Sequence, residues 1–135
     1  QAAGKFGFHL KIGSPKKYMP NKKILNWAKK NNVNLTITKK PEDAVSHSDC
    51  VMTDKWVSMN DKVNKKQKKK DLKNYQVDKK LMKLAKPDAI FMRCLPVGRG
   101  EEVTDEIIDG DKSVVWKQAL NRVHAQKSII IWCMS

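Results

Sequence analysis

The sequence predicts an α/β fold, a mostly parallel sheet with helices on both faces, and three observations lead there. Short apolar runs with alternation or β-branching take turns with stretches of helical apolar spacing, and such βαβ order favours parallel strands. Gly, Pro and Asn punctuate nearly every change of pattern. With 135 residues, 40% of them hydrophobic, the chain suffices for one domain around one core and is too short for two of ordinary size.

Phe8-His9-Leu10-Lys11-Ile12 alternates apolar and polar residues and runs into Gly13-Ser14-Pro15, a strand followed by a turn. Asn21 is placed to cap a helix that carries Ile24, Leu25, Trp27 and Ala28 toward a core, and Asn31-Asn32 stops it. Val33-Asn34-Leu35-Thr36-Ile37 reads as a second strand. Pro41 suits the first turn of a short helix, with Glu42 and Asp43 at its positive end. Asp49-Cys50-Val51-Met52-Thr53 is expected to be a short buried strand leading into Asp54.

The lysine-rich stretch 61–73 has Val63 and Leu72 as its large apolar residues and reads as an exposed loop or helix. Asp78 can cap a helix with Leu81, Met82, Leu84 and Ala85, which ends before Pro87. Ala89-Ile90-Phe91-Met92 forms another strand and opens into Arg93-Cys94-Leu95-Pro96. Thr104-Asp105-Glu106 starts a short helix closed by Gly110. Val115, Leu120, Val123 and Ile130 recur at near-helical spacing, so a long helix runs from Val114 to about Cys133.

Composition excludes several classes. The longest apolar run, Ile129 to Met134, is far below the roughly 20 residues of a membrane-spanning helix. No signal peptide is evident at Gln1-Ala2-Ala3-Gly4-Lys5, and a start on Gln rather than Met is expected of a piece of a longer chain. Cys50, Cys94 and Cys133 form no CxxC pair and no Cys/His cluster at zinc spacing. We therefore expect free thiols, no metal, no cofactor and a cytoplasmic setting. The formal charge of +14 raises nucleic acid as a partner. Two features weigh against it: arginine accounts for only three of 28 cations, and the lysines are scattered without interleaved aromatics.

In parallel α/β sheets ligands bind beyond the carboxyl ends of the strands, which singles out the loops opened by Asp54 and by Cys94. In Thr53-Asp54-Lys55-Trp56-Val57-Ser58-Met59, a carboxylate with a hydroxyl four residues on can hold an ammonium group, or can simply cap the loop. In Arg93-Cys94-Leu95-Pro96-Val97-Gly98-Arg99-Gly100-Glu101-Glu102-Val103, Cys94 is either a reactive thiol or a small hydrophobe before a turn. Strand alternation puts Arg93 and Cys94 on opposite faces, so adjacency alone does not join them. In Asn121-Arg122-Val123-His124-Ala125, Arg122 can reach a phosphate or stay on a solvated surface.

Taken together and in this order, the three segments resemble ornithine carbamoyltransferases. Asp54-Lys55-Trp56-Val57-Ser58-Met59 is similar to that family's D-x-W-x-S-M-G loop, Cys94-Leu95-Pro96 to its H-C-L-P strand end, and Asn121 to Ala125 to its N-R-x-H-A helix. Tyr75-Gln76-Val77, Leu81-Met82 and 102–106 also fit. The resemblance implies a Rossmann-like domain in which Asp54, Ser58 and the Met59 backbone hold ornithine. Cys94 would be catalytic and, with the Leu95 carbonyl, sit beside the reacting carbamoyl group, while Arg122 helps bind carbamoyl phosphate. Transfer of the carbamoyl group to the side-chain amine of ornithine yields citrulline and phosphate, a step of arginine biosynthesis. The Ser-Met pair favours ornithine over aspartate.

The resemblance further implies that residues 1–135 form a single, N-terminally truncated ornithine-binding domain. Its first strand and the whole carbamoyl-phosphate domain are missing, so the chain alone is expected to be inactive. The family works as homotrimers, a state not carried over to this chain. Two positions depart from the pattern: Arg93 stands for the histidine before the cysteine, and Asn60 for the glycine after Ser-Met. Arg93 brings bulk and fixed charge to an imidazole's place, which keeps a catalytically dead relative open beside a lysine-rich nucleic-acid-binding module.

Overall fold

A computed structural model describes residues 1–57 and 64–135. Helix α1 (Ala2–Phe6) ends at Gly7, whose φ of 71° is the left-handed conformation that glycine adopts without strain. Strand β1 (Leu10–Gly13) leads through a 3₁₀ turn to α2 (Lys22–Lys30), where Asn21 Oδ1 accepts from the Lys23 N–H at 2.8 Å. Strand β2 (Leu35–Thr38) is followed by α3 (Pro41–Val45), with Pro41 opening the helix and Glu42 and Asp43 in its first turn.

After β3 (Cys50–Met52), helix α4 (Lys65–Leu72) occupies most of the lysine-rich stretch, capped by Asn64. Helix α5 (Lys79–Met82) begins where Asp78 Oδ1 accepts from the Leu81 N–H at 2.8 Å. Strand β4 (Ile90–Met92), helix α6 (Asp105–Ile108) and the 20-residue α7 (Val115–Met134) complete the order. The stretch predicted as exposed loop or helix is thus helical over 65–72, and its first three residues, 61–63, lie outside the described residues.

Both observed ladders are parallel, as the alternation predicts: β1 pairs with β2 from Leu10↔Leu35 to Gly13↔Thr38, and β3 with β4 from Cys50↔Ile90 to Met52↔Met92. They form two separate two-stranded sheets, and among the described residues no backbone ladder joins the pairs.

The core gathers around β3, β4, α5 and α6: Val51, Val77, Leu81, Met82, Ala89, Phe91, Val103, Ile108 and Val115 pack as one cluster. Burying a side chain such as Phe91 or Ile108 contributes about 1.5–3 kcal/mol each. Three expectations need correction. Strand β3 buries Val51 but exposes Cys50 and Met52, because one face of this pair is left without a covering layer. On α2, Ala28 is buried and Leu25 and Trp27 half-buried, while Ile24 is exposed. Helix α7 has the expected length, yet Val115 is its one buried residue and the stripe through Leu120, Val123 and Ile130 faces outward.

Candidate active site

The two loops singled out by the sheet rule converge. Asp54 follows β3 and Cys94 follows β4, and because the strands run parallel in register both loops leave the same end of the pair. The Cys94 Sγ–H donates to Asp54 Oδ1 at 3.7 Å across a separation of 40 residues. Both side chains reach solvent, and Leu95, joined to Pro96 by a cis peptide, is exposed beside them. An ammonium group arriving here meets a carboxylate it can pair with and a sulfur at its side.

Arg93 underlies both groups. Its side chain is 1% exposed and starts on the buried face with Phe91 while Cys94 is exposed, as strand alternation sets, and its long stem carries the guanidinium on to the strand end. Nη1 donates to the Cys94 carbonyl, lies 2.8 Å from Cys94 Sγ and stands 3.6 Å from Asp54 Oδ1. Nη2 donates to Pro96 O at 3.2 Å and to Glu102 Oε1 at 2.8 Å. The Arg93 backbone N–H donates to Gln118 Oε1 of α7 at 3.0 Å.

Glu102 is fully buried, and its Oε1 also accepts from the Gly98 N–H at 2.8 Å. A buried guanidinium would be prohibitively costly alone, and the carboxylate offsets its charge. Residues Arg93 and Cys94 therefore do interact. Strand alternation sets opposite starting directions for the two side chains, but the arginine stem is long enough to bring its guanidinium to the sulfur where a buried acid and three main-chain or sulfur acceptors wait. Glu102 and Gln118 carry no local signal of this role. The one clue was chemical: an arginine at the end of a core strand needs an acid, and Glu101-Glu102 follows a tight glycine turn nearby.

A cleft of about 410 Å³ opens next to the site between Lys55, Lys65, Lys66 and Lys69 on one side and Val97, Gly98 and Glu101 on the other. Lys69 pairs with Glu101. Of the remaining residues singled out in the sequence, Ser58 and Met59 lie outside the described residues, as does Asn60. Arg122 lies exposed on α7, and the structure does not bring it to Asp54 or Cys94. Among the described residues no group of His, Cys, Asp and Glu is arranged to hold a metal ion, and no helix is long and apolar enough to cross a membrane.

Comparison with known proteins places these features in context. The family model described as the Asp/Orn binding domain of aspartate/ornithine carbamoyltransferase matches residues 1–133. The ornithine carbamoyltransferase of Rhodopseudomonas palustris (strain BisA53) is 52% identical over 132 residues, covering 98% of this chain and 42% of the relative. That of Bradyrhizobium diazoefficiens is also 52% identical over 132 residues, covering 98% and 43%. Among solved structures, ornithine carbamoyltransferase from Pyrococcus furiosus superposes with a TM-score of 0.84 at 40% identity, over 94% of this chain and 42% of that one. The anabolic enzyme from Campylobacter jejuni gives 0.89 at 32% identity, over 96% and 44%. The chain spans less than half the length of these relatives.

Proposed function

Because the chain belongs to the aspartate/ornithine carbamoyltransferase family, matching its Asp/Orn binding domain over residues 1–133, we propose that residues 1–135 form the ornithine-binding domain of an ornithine carbamoyltransferase. Asp54, with Ser58 and the Met59 backbone, receives the amino-acid substrate. Cys94 and the Leu95 carbonyl flank the reacting amine, and Arg122, which this chain does not bring to them, is assigned to carbamoyl phosphate by the family's N-R-x-H-A pattern alone. The side-chain amine attacks the carbamoyl carbon, the bond from that carbon to the phosphate oxygen breaks, and the amine gives up a proton. Citrulline and phosphate result.

Groups that accept charge or protons at the attacking amine assist this step. The observation that supports the reading is the 3.7 Å approach of Cys94 to Asp54 from two different strand ends. The carbamoyl-phosphate half is proposed to come from residues outside this chain, so these residues alone bind ornithine without turning it over.

Titrating the chain with ornithine while following backbone amide resonances tests this. Shifts clustered at Asp54 and Cys94, and lost in Asp54→Ala, are expected. Silence toward ornithine, with salt-dependent shifts on adding an oligonucleotide, would overturn the reading in favour of the lysine surface.

A further inference from the structure

We infer that Arg93, anchored by Glu102, is a positioning residue that holds the Cys94 sulfur and the Asp54 carboxylate on one guanidinium and keeps the surroundings of that sulfur cationic. The inference rests on the ornithine-site reading for its biological meaning, but its geometry stands apart from any substrate.

Four observations carry it. First, one nitrogen, Nη1, contacts the Cys94 carbonyl, lies 2.8 Å from Cys94 Sγ and 3.6 Å from Asp54 Oδ1, so a single planar group touches both sides of the site. Second, the opposite nitrogen is fixed by Glu102 Oε1 at 2.8 Å and Pro96 O at 3.2 Å, which sets the orientation of the whole fork. Third, Arg93 and Glu102 are both essentially inaccessible, so neither can swing away into water. Fourth, the Arg93 backbone N–H donates to Gln118 Oε1 at 3.0 Å, fixing the main chain from which the side chain starts.

The charge balance follows from this arrangement. Glu102 sits on Nη2, while Nη1 is the nitrogen turned toward Cys94 Sγ and Asp54 Oδ1, so the cationic end of the buried pair faces the site. The sulfur lies nearer to the buried guanidinium than to the water-screened carboxylate, so the guanidinium dominates its field. Cys94 is thereby held in place by a group that is itself buried.

Paired alkylation reads this field. In each reaction the sulfur displaces iodide from the reagent. The ratio of the rate with anionic iodoacetate to that with neutral iodoacetamide cancels the fraction of thiol that is ionised. It therefore reports charge near the sulfur and not access alone. Rates are measured at each cysteine by peptide mass analysis on the intact chain, against a free cysteine peptide.

In the unsubstituted protein the ratio at Cys94 is expected to exceed that of the peptide by roughly fivefold and to persist at high salt, as a buried charge dictates. Arg93→Gln should bring it to or below the peptide value, Arg93→Lys should restore part of it, and Asp54→Asn should raise it. A ratio at Cys94 equal to that of the peptide in the unsubstituted protein would overturn the inference without need of any variant. So would a ratio unmoved by Arg93→Gln in a chain that keeps its amide spectrum. Protection of Cys94 by ornithine is scored separately: its absence counts against the ornithine site alone, and the ratio against Arg93 alone.

Discussion

Replacing Glu102 by Gln keeps the size and shape of the side chain and removes its charge, leaving buried Arg93 with only the exposed Asp54 carboxylate at 3.6 Å. Arg93 is 1% exposed and Glu102 0%, and their 2.8 Å contact is supplemented by the Gly98 N–H at 2.8 Å to the same oxygen. Removing one partner of a buried pair costs about 3–5 kcal/mol, most of it the penalty of the stranded charge. Against a total stability of about 5–15 kcal/mol for a domain, this is a large fraction.

Urea unfolding followed by tryptophan fluorescence, with Trp56 buried beside the site, measures it. At a denaturant slope of about 2 kcal/mol per molar the midpoint should fall by about 2 M. In an Arg93→Met background the carboxylate is the stranded charge, so the same Glu102→Gln change should be neutral or stabilising, the Gly98 N–H keeping an oxygen acceptor. A midpoint shift under about 0.3 M in the unsubstituted background, or an equal loss in both backgrounds, would refute the account of a charge pair held out of water.

Two further outcomes follow from the same structure. Gly98→Ala would place a methyl 2.5 Å from Glu102 Oε2 and 3.2 Å from its carboxyl carbon; Glu102 has no exposed route of retreat, so a loss of about 1–3 kcal/mol in urea unfolding is expected, and a neutral result would mean that the 98–102 turn yields. Acid should weaken the fold: hydrogen bonds from Gln67 and Tyr18 to Asp71, from Arg99 to Asp109 and from Lys86 to Asp49 hold these carboxyls below the usual range. Groups whose folded pKa is depressed contribute fully above about pH 4 and lose that contribution as pH falls through the folded values. Urea midpoints should therefore drop between pH 5 and 3, modestly because these groups are exposed, and less steeply in Asp109→Asn; a midpoint that rises on acidification contradicts the sign.

Local chemistry explains what could be read from sequence. Asn21 and Asp78 cap helices because a short polar side chain can reach the free amides two or three residues ahead, and this needs no knowledge of the rest of the chain. The strand ends at Asp54 and Cys94 follow from the general position of ligands in parallel sheets. The contact between Arg93 and Cys94 is not legible in the sequence for the opposite reason. The direction of the guanidinium is decided by Glu102, which arrives through a glycine turn whose path a pattern of two cannot foresee. The exposure of Cys50 and Met52, and the separation of the two strand pairs, depend likewise on which layers cover which faces. Hydrophobic spacing states that a face is apolar; it does not state what lies against it.

Helix α7 has a mechanical aspect. Its first turn is fastened to the site, through buried Val115 and through Gln118, whose side chain holds the Arg93 backbone. From Ala119 onward every residue is exposed, and at about 1.5 Å of rise per residue the helix extends some 30 Å. A rod clamped at one end is a lever. A force applied near Trp132 acts with most of that length as its arm, and the short side of the pivot is the strand end from which Arg93 reaches Cys94 and Asp54. The point at which the rod is held is the main chain of Arg93, one residue from Cys94.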